Sequence, residues 1–252
     1  MRSPTVQIDR FWASDWSLTI LLAFLMTSIF LIRPLEAIGF DARLFSGVGF
    51  SVILLSGIFA VSHSRRWMMI FGTIAALAIF VHWARYAVFG PPWVGIDAAA
   101  AIAACGLLAG IVLSQVLREG PVTIQRIQGA VAAYLLIAMM FAAAYTLVDV
   151  YLTDAFTGAV QMVDRHDPFQ RFLYFSFVTL TTTGYGDIAP VTPAARSLAM
   201  LEGLIGQMFP AILLARLVSL ELYYRQRRFE REQAELDREA LAREVRRPRD
   251  AE

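Results

Sequence analysis

The chain has 252 residues, of which 58% are hydrophobic and 17% carry a charge. That charged fraction lies well below the roughly 25% of a soluble domain, and the mean hydropathy is +0.57. We therefore predict a membrane protein. The net charge of +1 gives no basis for nucleic-acid binding. One cysteine, Cys105, and three scattered histidines provide neither a disulfide framework nor metal-ligand spacing, so no cofactor is predicted.

Six apolar stretches follow one another, each near the roughly 20 residues that a helix needs to cross a bilayer. They cover about 16–32, 44–62, 67–89, 94–117, 129–150 and 194–220. Charged or helix-breaking groups separate them, such as Arg33-Pro34 after the first stretch. The sequence VTIQRIQ before the fifth stretch predicts a short interfacial segment. The predicted fold class is therefore an all-α membrane protein with six transmembrane helices.

The arginines are distributed unequally between the two sides of such a chain. If the N-terminus is cytoplasmic, the outer segments hold only arginines with acidic residues nearby, namely Arg33, Arg43, Arg165 and Arg171. The inner segments then hold the arginine-rich tail and Arg2, Arg10, Arg65, Arg66, Arg118 and Arg126. The positive-inside rule thus predicts that both termini are cytoplasmic.

A short helix is predicted between the fifth and sixth stretches. Asp167 fits an N-cap and Pro168 fits the first helical position. The helical segment FQRFLYFSFVTLT then runs to about Thr181. Because this helix is too short to span a bilayer, we expect it to be re-entrant. Its carboxyl end would direct partial negative charge at a cation below the loop that follows.

That loop has a backbone suited to holding a dehydrated cation. Such an ion needs a cage of oxygens, and backbone carbonyls supply one without adding charge. Successive carbonyls point at one axis only where the backbone leaves the usual allowed regions, which glycine does without steric cost. Gly184 and Gly186, on either side of Tyr185, fit this requirement. Thr182 adds a hydroxyl at the inner end of the row, and Tyr185 can wedge its ring into the surrounding protein.

The segment 182–187 resembles the potassium-channel signature T-V-G-Y-G-D, with Thr183 in place of the usual valine. It is similar to the T-T-G-Y-G variant of potassium-selective plant inward rectifiers. The resemblance implies that Asp187 lies at the outer mouth of a selectivity filter that binds K+ at its first four residues. That filter would comprise Thr182, Thr183, Gly184, Tyr185 and Gly186.

The same resemblance implies a homotetramer that conducts K+ passively and has no enzymatic activity. Each chain would supply one filter strand, because the carbonyls form a closed cage only when four strands surround one axis. The implied location is the inner membrane of a prokaryote-like cell, with K+ and membrane lipids as partners.

Six spans with the pore after the fifth resemble the six-helix plan of voltage-gated-like potassium channels. A voltage sensor carries a basic residue at every third position. Several are needed because each charge that moves across the membrane contributes only about 2.3 kcal/mol per 100 mV. The fourth span, 94–117, contains no Arg or Lys. Residues 1–126 are therefore predicted to be a sensorless scaffold, with a lipid- or ligand-sensing domain as the alternative. Arg85 in the third span is expected to snorkel or to pair with Asp97; the alternative is a gating charge.

The sixth span completes a predicted pore domain of residues 127–221. One helical face carries Gly203, Gln207, Pro210 and Leu214. The resemblance places Gln207 and Pro210 at cavity-lining positions and Gly206 at the hinge position. The alternative for Gly203 and Gly206 is that they only allow close helix packing. Pro210 removes a helical hydrogen bond and is expected to bend the helix.

Glu202 is an acidic residue in the middle of the sixth span. It lies about 140° around the helix from Gln207 and is therefore expected to face the pore helix. Burial there requires hydrogen-bond partners, and the nearest candidates are Ser176, Thr179 and Thr182. Glu202 either knits two helices together or, with Thr179, braces the filter from behind.

Residues 222–252 carry charges of both signs and predict a helical cytoplasmic tail. Oppositely charged pairs four residues apart, such as Glu221 and Arg225, favour a helix. Apolar residues recur every seventh position, at Leu222, Phe229 and Leu236. A four-stranded coiled coil is one interpretation, and a solvated helix that frays is the other.

Other functions fit parts of the pattern. A weakly selective cation channel would have the same architecture with a potassium-to-sodium permeability ratio near one. A Trk-like uptake subunit would fuse four degenerate filter repeats, whereas one intact motif is present. A membrane enzyme or adaptor with a non-conducting pore would show no flux in liposomes.

Overall fold

The computed structural model describes residues 18–31, 42–61, 65–87, 91–118, 123–158 and 168–246. The described helices are α1 (Leu18–Leu31), α2 (Ala42–Val61), α3 (Arg65–Ala87), α4 (Pro91–Val116), α5 (Ile124–Tyr151), α6 (Pro168–Leu180) and α7 (Pro193–Arg246). The last turn of α1, Thr27–Leu31, is a π-helix. Two short strands, β1 (Phe156–Thr157) and β2 (Ala189–Pro190), pair antiparallel with Phe156 opposite Pro190. Apart from this strand pair, the regular structure in the described ranges is helical.

Four of these helices are long and apolar enough to cross a membrane. They cover Arg66–Arg85, Trp93–Val116, Ile124–Tyr151 and Pro193–Arg238. The apolar segments in α1 and α2, Leu18–Leu31 and Gly47–Ile58, are shorter. Each predicted span contains a described helix, but four reach spanning length within the described residues. The chain is thus suited to a membrane, and the total of six spans stays a prediction.

Two helices are longer than the sequence pattern predicts. Because α5 begins at Ile124, most of VTIQRIQ forms the first turns of the same helix as the fifth span, and its interfacial position stays a prediction. Gly129 is the one glycine inside α5, and a single glycine costs only about 1 kcal/mol. The sixth span and the tail form one helix, α7, which continues through Pro210. No further Gly or Pro follows within that helix to end it.

The most extensive contact between helices is that of α4 with α5. Both helices bury small residues, among them Ala104 and Cys105 on α4 and Ala132 and Ala133 on α5. Small side chains allow two helix backbones to approach closely in a membrane, where no hydrophobic effect drives helices together. Cys105 is a buried free thiol in this interface.

A charged cluster joins the end of α3 to the start of α4. Arg85 Nη1 lies 3.1 Å from Asp97 Oδ2, and His82 Nδ1 lies 3.1 Å from Asp97 Oδ1. None of the three side chains is more than 13% exposed. The pairing of Arg85 with Asp97 suggested by the sequence is therefore present. Removing one partner from a buried pair is costly, at about 3–5 kcal/mol, because a buried charge is left uncompensated.

We predict that opening of the channel that the sequence implies depends only weakly on voltage, with an apparent gating charge of about one or less. The reason is that Pro91–Val116 carries no Arg or Lys, while Arg85 is held by Asp97. Current recordings from the purified protein in symmetric K+ measure this slope.

Arg85→Gln provides the matched variant, since it removes the arginine near the carboxyl end of α3. It should leave the voltage slope unchanged while lowering thermal stability. A steep activation curve that persists after blocking ions are removed would contradict the prediction.

Candidate functional site

Helix α6 packs against both α5 and α7. Aromatic rings surround Tyr145 of α5: its ring centroid lies 4.9 Å from that of Phe175 and 5.6 Å from that of Phe156. Such edge contacts contribute about 0.5–1.5 kcal/mol each beyond the area that they bury. The short helix predicted from Pro168 to about Thr181 is present as Pro168–Leu180. Its predicted N-cap, Asp167, lies outside the described residues.

The carboxyl end of α6 is a Schellman motif, which turns the chain into the predicted filter. The Thr183 amide donates to the Val178 carbonyl at 2.9 Å, and the Thr182 amide donates to the Thr179 carbonyl at 3.0 Å. Thr182 takes the left-handed position of the motif, with a φ of 58°, where glycine is usual. Strained residues of this kind cost about 1–3 kcal/mol and persist where their surroundings fix them.

Positive φ angles alternate along the predicted filter. They occur at Thr182, Gly184 (60°) and Gly186 (79°), whereas Thr183 and Tyr185 have no positive φ. In general, a chain that alternates between right- and left-handed conformations turns successive amides to one side, which leaves the carbonyls on the other. Both glycines thus leave the usual allowed regions, as the sequence argument requires. Residues 181–187 are all exposed in the single chain.

The carboxyl end of this row is held at Asp187. The Tyr174 hydroxyl donates to Asp187 Oδ2 at 2.7 Å, and the Ile188 amide donates to Oδ1 at 3.1 Å. Gly158, with a φ of 87°, packs against the Asp187 carbonyl, and a Cβ at this glycine would collide with it. The β1–β2 pair starts immediately beyond, where Thr157 faces Ala189. The sequence predicted Asp187 at the mouth, and the structure adds these partners.

Helix α7 presents two different faces to its surroundings. Glu202 and Gly206 are buried against the rest of the chain. The predicted cavity residues Gln207, Pro210 and Leu214 are exposed, on the side that the single chain leaves uncovered.

Gly206 has a packing function in this arrangement. A Cβ at this position would collide with the Leu180 carbonyl at the end of α6. The close-packing interpretation of Gly206 therefore has a direct structural reason. Gly203, by contrast, has no atom within 4 Å of a Cβ placed on it.

Glu202 links three helices behind the filter. It is fully buried, and its carboxyl group accepts a hydrogen bond from the Tyr145 hydroxyl at 2.5 Å and another from Ser176. The Ser176 hydroxyl also lies 2.8 Å from the Ala138 carbonyl. Glu202 of α7 is thereby joined to α5 through Tyr145 and to α6 through Ser176.

Sequence reasoning predicted Ser176 as a donor to Glu202 but missed Tyr145. A usable signal was present, because a tyrosine hydroxyl inside an apolar helix needs a hydrogen-bond partner. Tyr134 of α5 gives the same signal, and its hydroxyl donates to the Leu180 carbonyl at 3.0 Å. The other predicted donors, Thr179 and Thr182, contribute backbone groups to the Schellman motif at the end of α6.

Comparison with known proteins covers this region of the chain. Residues 133–221 match a family model described as "Ion channel". Two pore potassium channel c of Oryza sativa subsp. japonica is 41% identical over 91 residues, which make up 36% of this chain and 20% of that protein. Protein LctB of Bacillus caldotenax is 33% identical over 87 residues, or 34% of this chain and 64% of its own length. The family model and the rice protein relate this part of the chain to ion channels.

The matched region begins within α5 and ends within α7. It therefore contains the short helix α6, the exposed row 181–187 and the Glu202 network. The match with this chain spans 20% of the length of the rice protein and 64% of the length of LctB.

We predict that Glu202→Gln conducts nearly as the wild type does, whereas Glu202→Val gives an unstable or inactivating pore. The side-chain carbonyl of Gln can accept a hydrogen bond from Tyr145, while its amide donates to the Ser176 hydroxyl. That hydroxyl can then donate its own proton to the Ala138 carbonyl. Valine leaves the buried hydroxyls without this partner, at about 1–3 kcal/mol for each group left unsatisfied. Flux measurements and thermal stability of the purified assembly test both variants.

The Gln and Val variants control for each other, because both remove the charge and only one removes the hydrogen bonds. A Val variant that conducts and remains as stable as the wild type would show that Glu202 braces nothing.

Proposed function

We propose that this protein is a homotetrameric, potassium-selective channel that conducts K+ passively across the cell membrane. The observation that carries the proposal is the row Thr182–Gly186. It combines alternating positive φ angles with exposure, at the end of a helix of 13 residues that is too short to cross a bilayer. Its T-T-G-Y-G-D sequence and the ion-channel match over 133–221 support the same function.

Several copies of the chain are needed to shield the exposed residues 181–187 from lipid in a membrane. Exposed, irregular backbone does not persist in contact with lipid, because its polar groups find no partners there. Four copies around one axis would cover residues 181–187 and close their carbonyls into a cage. The uncovered face of α7, with Gln207, Pro210 and Leu214, would then line the cavity beneath.

Permeation would follow from this geometry. K+ would exchange its water for the carbonyl oxygens of Tyr185 and Gly184, occupy sites formed by Thr182 to Tyr185, and advance by repulsion between neighbouring ions. Asp187 adds negative charge at the outer mouth. No cofactor takes part in this scheme.

The distribution of arginines supports cytoplasmic termini and an outward-facing Asp187 in an inner membrane. Residues 1–126 would form a sensorless, lipid-exposed domain around the pore domain 127–221, and 222–252 would extend into the cytoplasm. With the shorter segments α1 and α2 counted as spans, this gives six transmembrane helices and one re-entrant helix.

Reconstitution of the purified chain tests the proposal. Liposomes loaded with K+ should release it down its gradient, and currents under bi-ionic conditions should show strong preference for K+ over Na+. A permeability ratio near one would indicate a weakly selective cation channel instead. Absence of flux from correctly assembled protein would indicate a non-conducting adaptor.

We predict that Gly184→Ala and Gly186→Ala each abolish K+ flux while tetramers still form. The φ angles of 60° and 79° penalise a residue with a Cβ by about 1–2 kcal/mol. Within one chain, neither Cβ would meet an atom within 4 Å, so the substitutions act on the backbone conformation. Flux assays and native mass spectrometry measure the two effects separately.

Thr183→Val is the control for these variants. It keeps the carbonyl and the β-branched stiffness of the residue, so selectivity should stay within a few-fold of the wild type. Unchanged K+ flux in either alanine variant would remove the basis for the filter assignment.

A further inference from the structure

The backbone carbonyls in the last turn of α6 all have hydrogen-bond partners. Those of residues 177–179 accept from the amides of residues 181–183 at 2.9–3.0 Å, and the Gly184 amide also donates to the Val178 carbonyl at 3.3 Å. The loop therefore caps three of the four carbonyls with its own backbone. The fourth carbonyl, that of Leu180, is served from elsewhere in the chain.

Its partner is the hydroxyl of Tyr134, which donates to the Leu180 carbonyl oxygen across 3.0 Å. Tyr134 lies 46 positions earlier in the sequence, on α5. Leu180 is fully buried, and a buried carbonyl without a partner is disfavoured, most of all in a membrane. Tyr134 thus completes a helix cap that the local sequence leaves unfinished.

The same carbonyl is a meeting point of three helices. Gly206 of α7 lies so close to it that a Cβ would collide with the oxygen. The Tyr134 ring also packs against Phe209 of α7, with 5.5 Å between ring centroids. The position of the Leu180 carbonyl is therefore fixed from α5 by a hydrogen bond and from α7 by contact.

We propose that Tyr134 is a positioning residue that holds the inner end of the filter strand. This inference rests on the proposed function. Leu180 precedes Thr182 by two residues, and Thr182 is held in a strained left-handed conformation with a φ of 58°. With the Leu180 carbonyl anchored, the last turn of α6 stays closed and Thr182 keeps the conformation that starts the row of carbonyls. Tyr134 itself does not touch the ion.

Tyr134→Phe tests the proposal, because it removes the hydroxyl and keeps the ring against Phe209. Hydrogen exchange of the purified wild type and variant, followed on peptides that contain residues 182–184, reports directly on the cap. We expect these amides to exchange about tenfold faster in the variant, the effect of one lost buried hydrogen bond. K+ flux of the variant should fall while the amount of assembled protein is unchanged.

Thr146→Val is the matched control on the same helix. Its hydroxyl is buried and donates to the Ala142 carbonyl of α5 itself, at 2.9 Å. This variant should leave exchange at residues 182–184 and K+ flux as in the wild type. Equal acceleration in both variants would overturn the proposal, since it would reflect general loosening of α5. Unchanged exchange in Tyr134→Phe would overturn it as well.

The exchange experiment does not depend on conduction, so the two proposals fail separately. A wild type that shows no flux would refute the proposed channel function, while the exchange comparison would still decide the role of Tyr134. If Tyr134→Phe does not assemble, 3,5-difluorotyrosine incorporated at position 134 strengthens the donor and preserves the side chain. Slower exchange at residues 182–184 would then support the proposal, and unchanged exchange would overturn it.

Discussion

The structure around residues 181–187 depends on one constraint, which is that backbone polar groups buried away from water must be paired. The row that follows α6 gives up helical hydrogen bonding and therefore needs fixed ends. Its inner end has the Schellman motif and the Tyr134 hydroxyl on the Leu180 carbonyl. Its outer end has the Tyr174 hydroxyl on Asp187 and the close packing of Gly158. Between these ends, the left-handed angles are carried by glycine at two of three positions, which limits the strain to Thr182.

Behind residues 181–187, hydrogen bonds between side chains of different helices hold the helices together. Inside a membrane the hydrophobic effect does not bring helices together, so packing and interhelical hydrogen bonds do so. Glu202 joins α7 to Tyr145 of α5 and to Ser176 of α6, and the rings of Phe156 and Phe175 pack against Tyr145. A carboxyl group in this place is expensive to bury, and two hydroxyl donors offset that cost. The same arrangement fixes the relative positions of the three helices that carry the proposed conduction site.

The peripheral helices differ from the pore region in how charge is used. Arg85, His82 and Asp97 form a cluster between α3 and α4, and a cavity of about 40 Å³ lies beside it, lined also by Gln170 and Leu173 of α6. A space of that size is large enough to hold water. The cluster therefore fastens the peripheral helices next to the start of α6. With no basic residue along α4, this part of the chain suits a scaffold better than a sensor of voltage.

The sequence by itself determined the features that depend on local chemistry. Apolar stretches predicted the positions of the helices, Pro168 and the length of its apolar segment predicted α6, and the spacing of Gly184 and Gly186 predicted where the backbone turns left-handed. Sequence reasoning also placed Glu202 toward α6, because a helix has a fixed angular step. The tertiary structure alone decided the partners: Tyr145 for Glu202, Tyr134 for Leu180, and the carbonyl that requires a glycine at 206. These contacts join residues that are 26 to 57 positions apart. Neither periodicity nor residue type specifies such pairs, because they arise only when three helices pack at a particular rotation and depth.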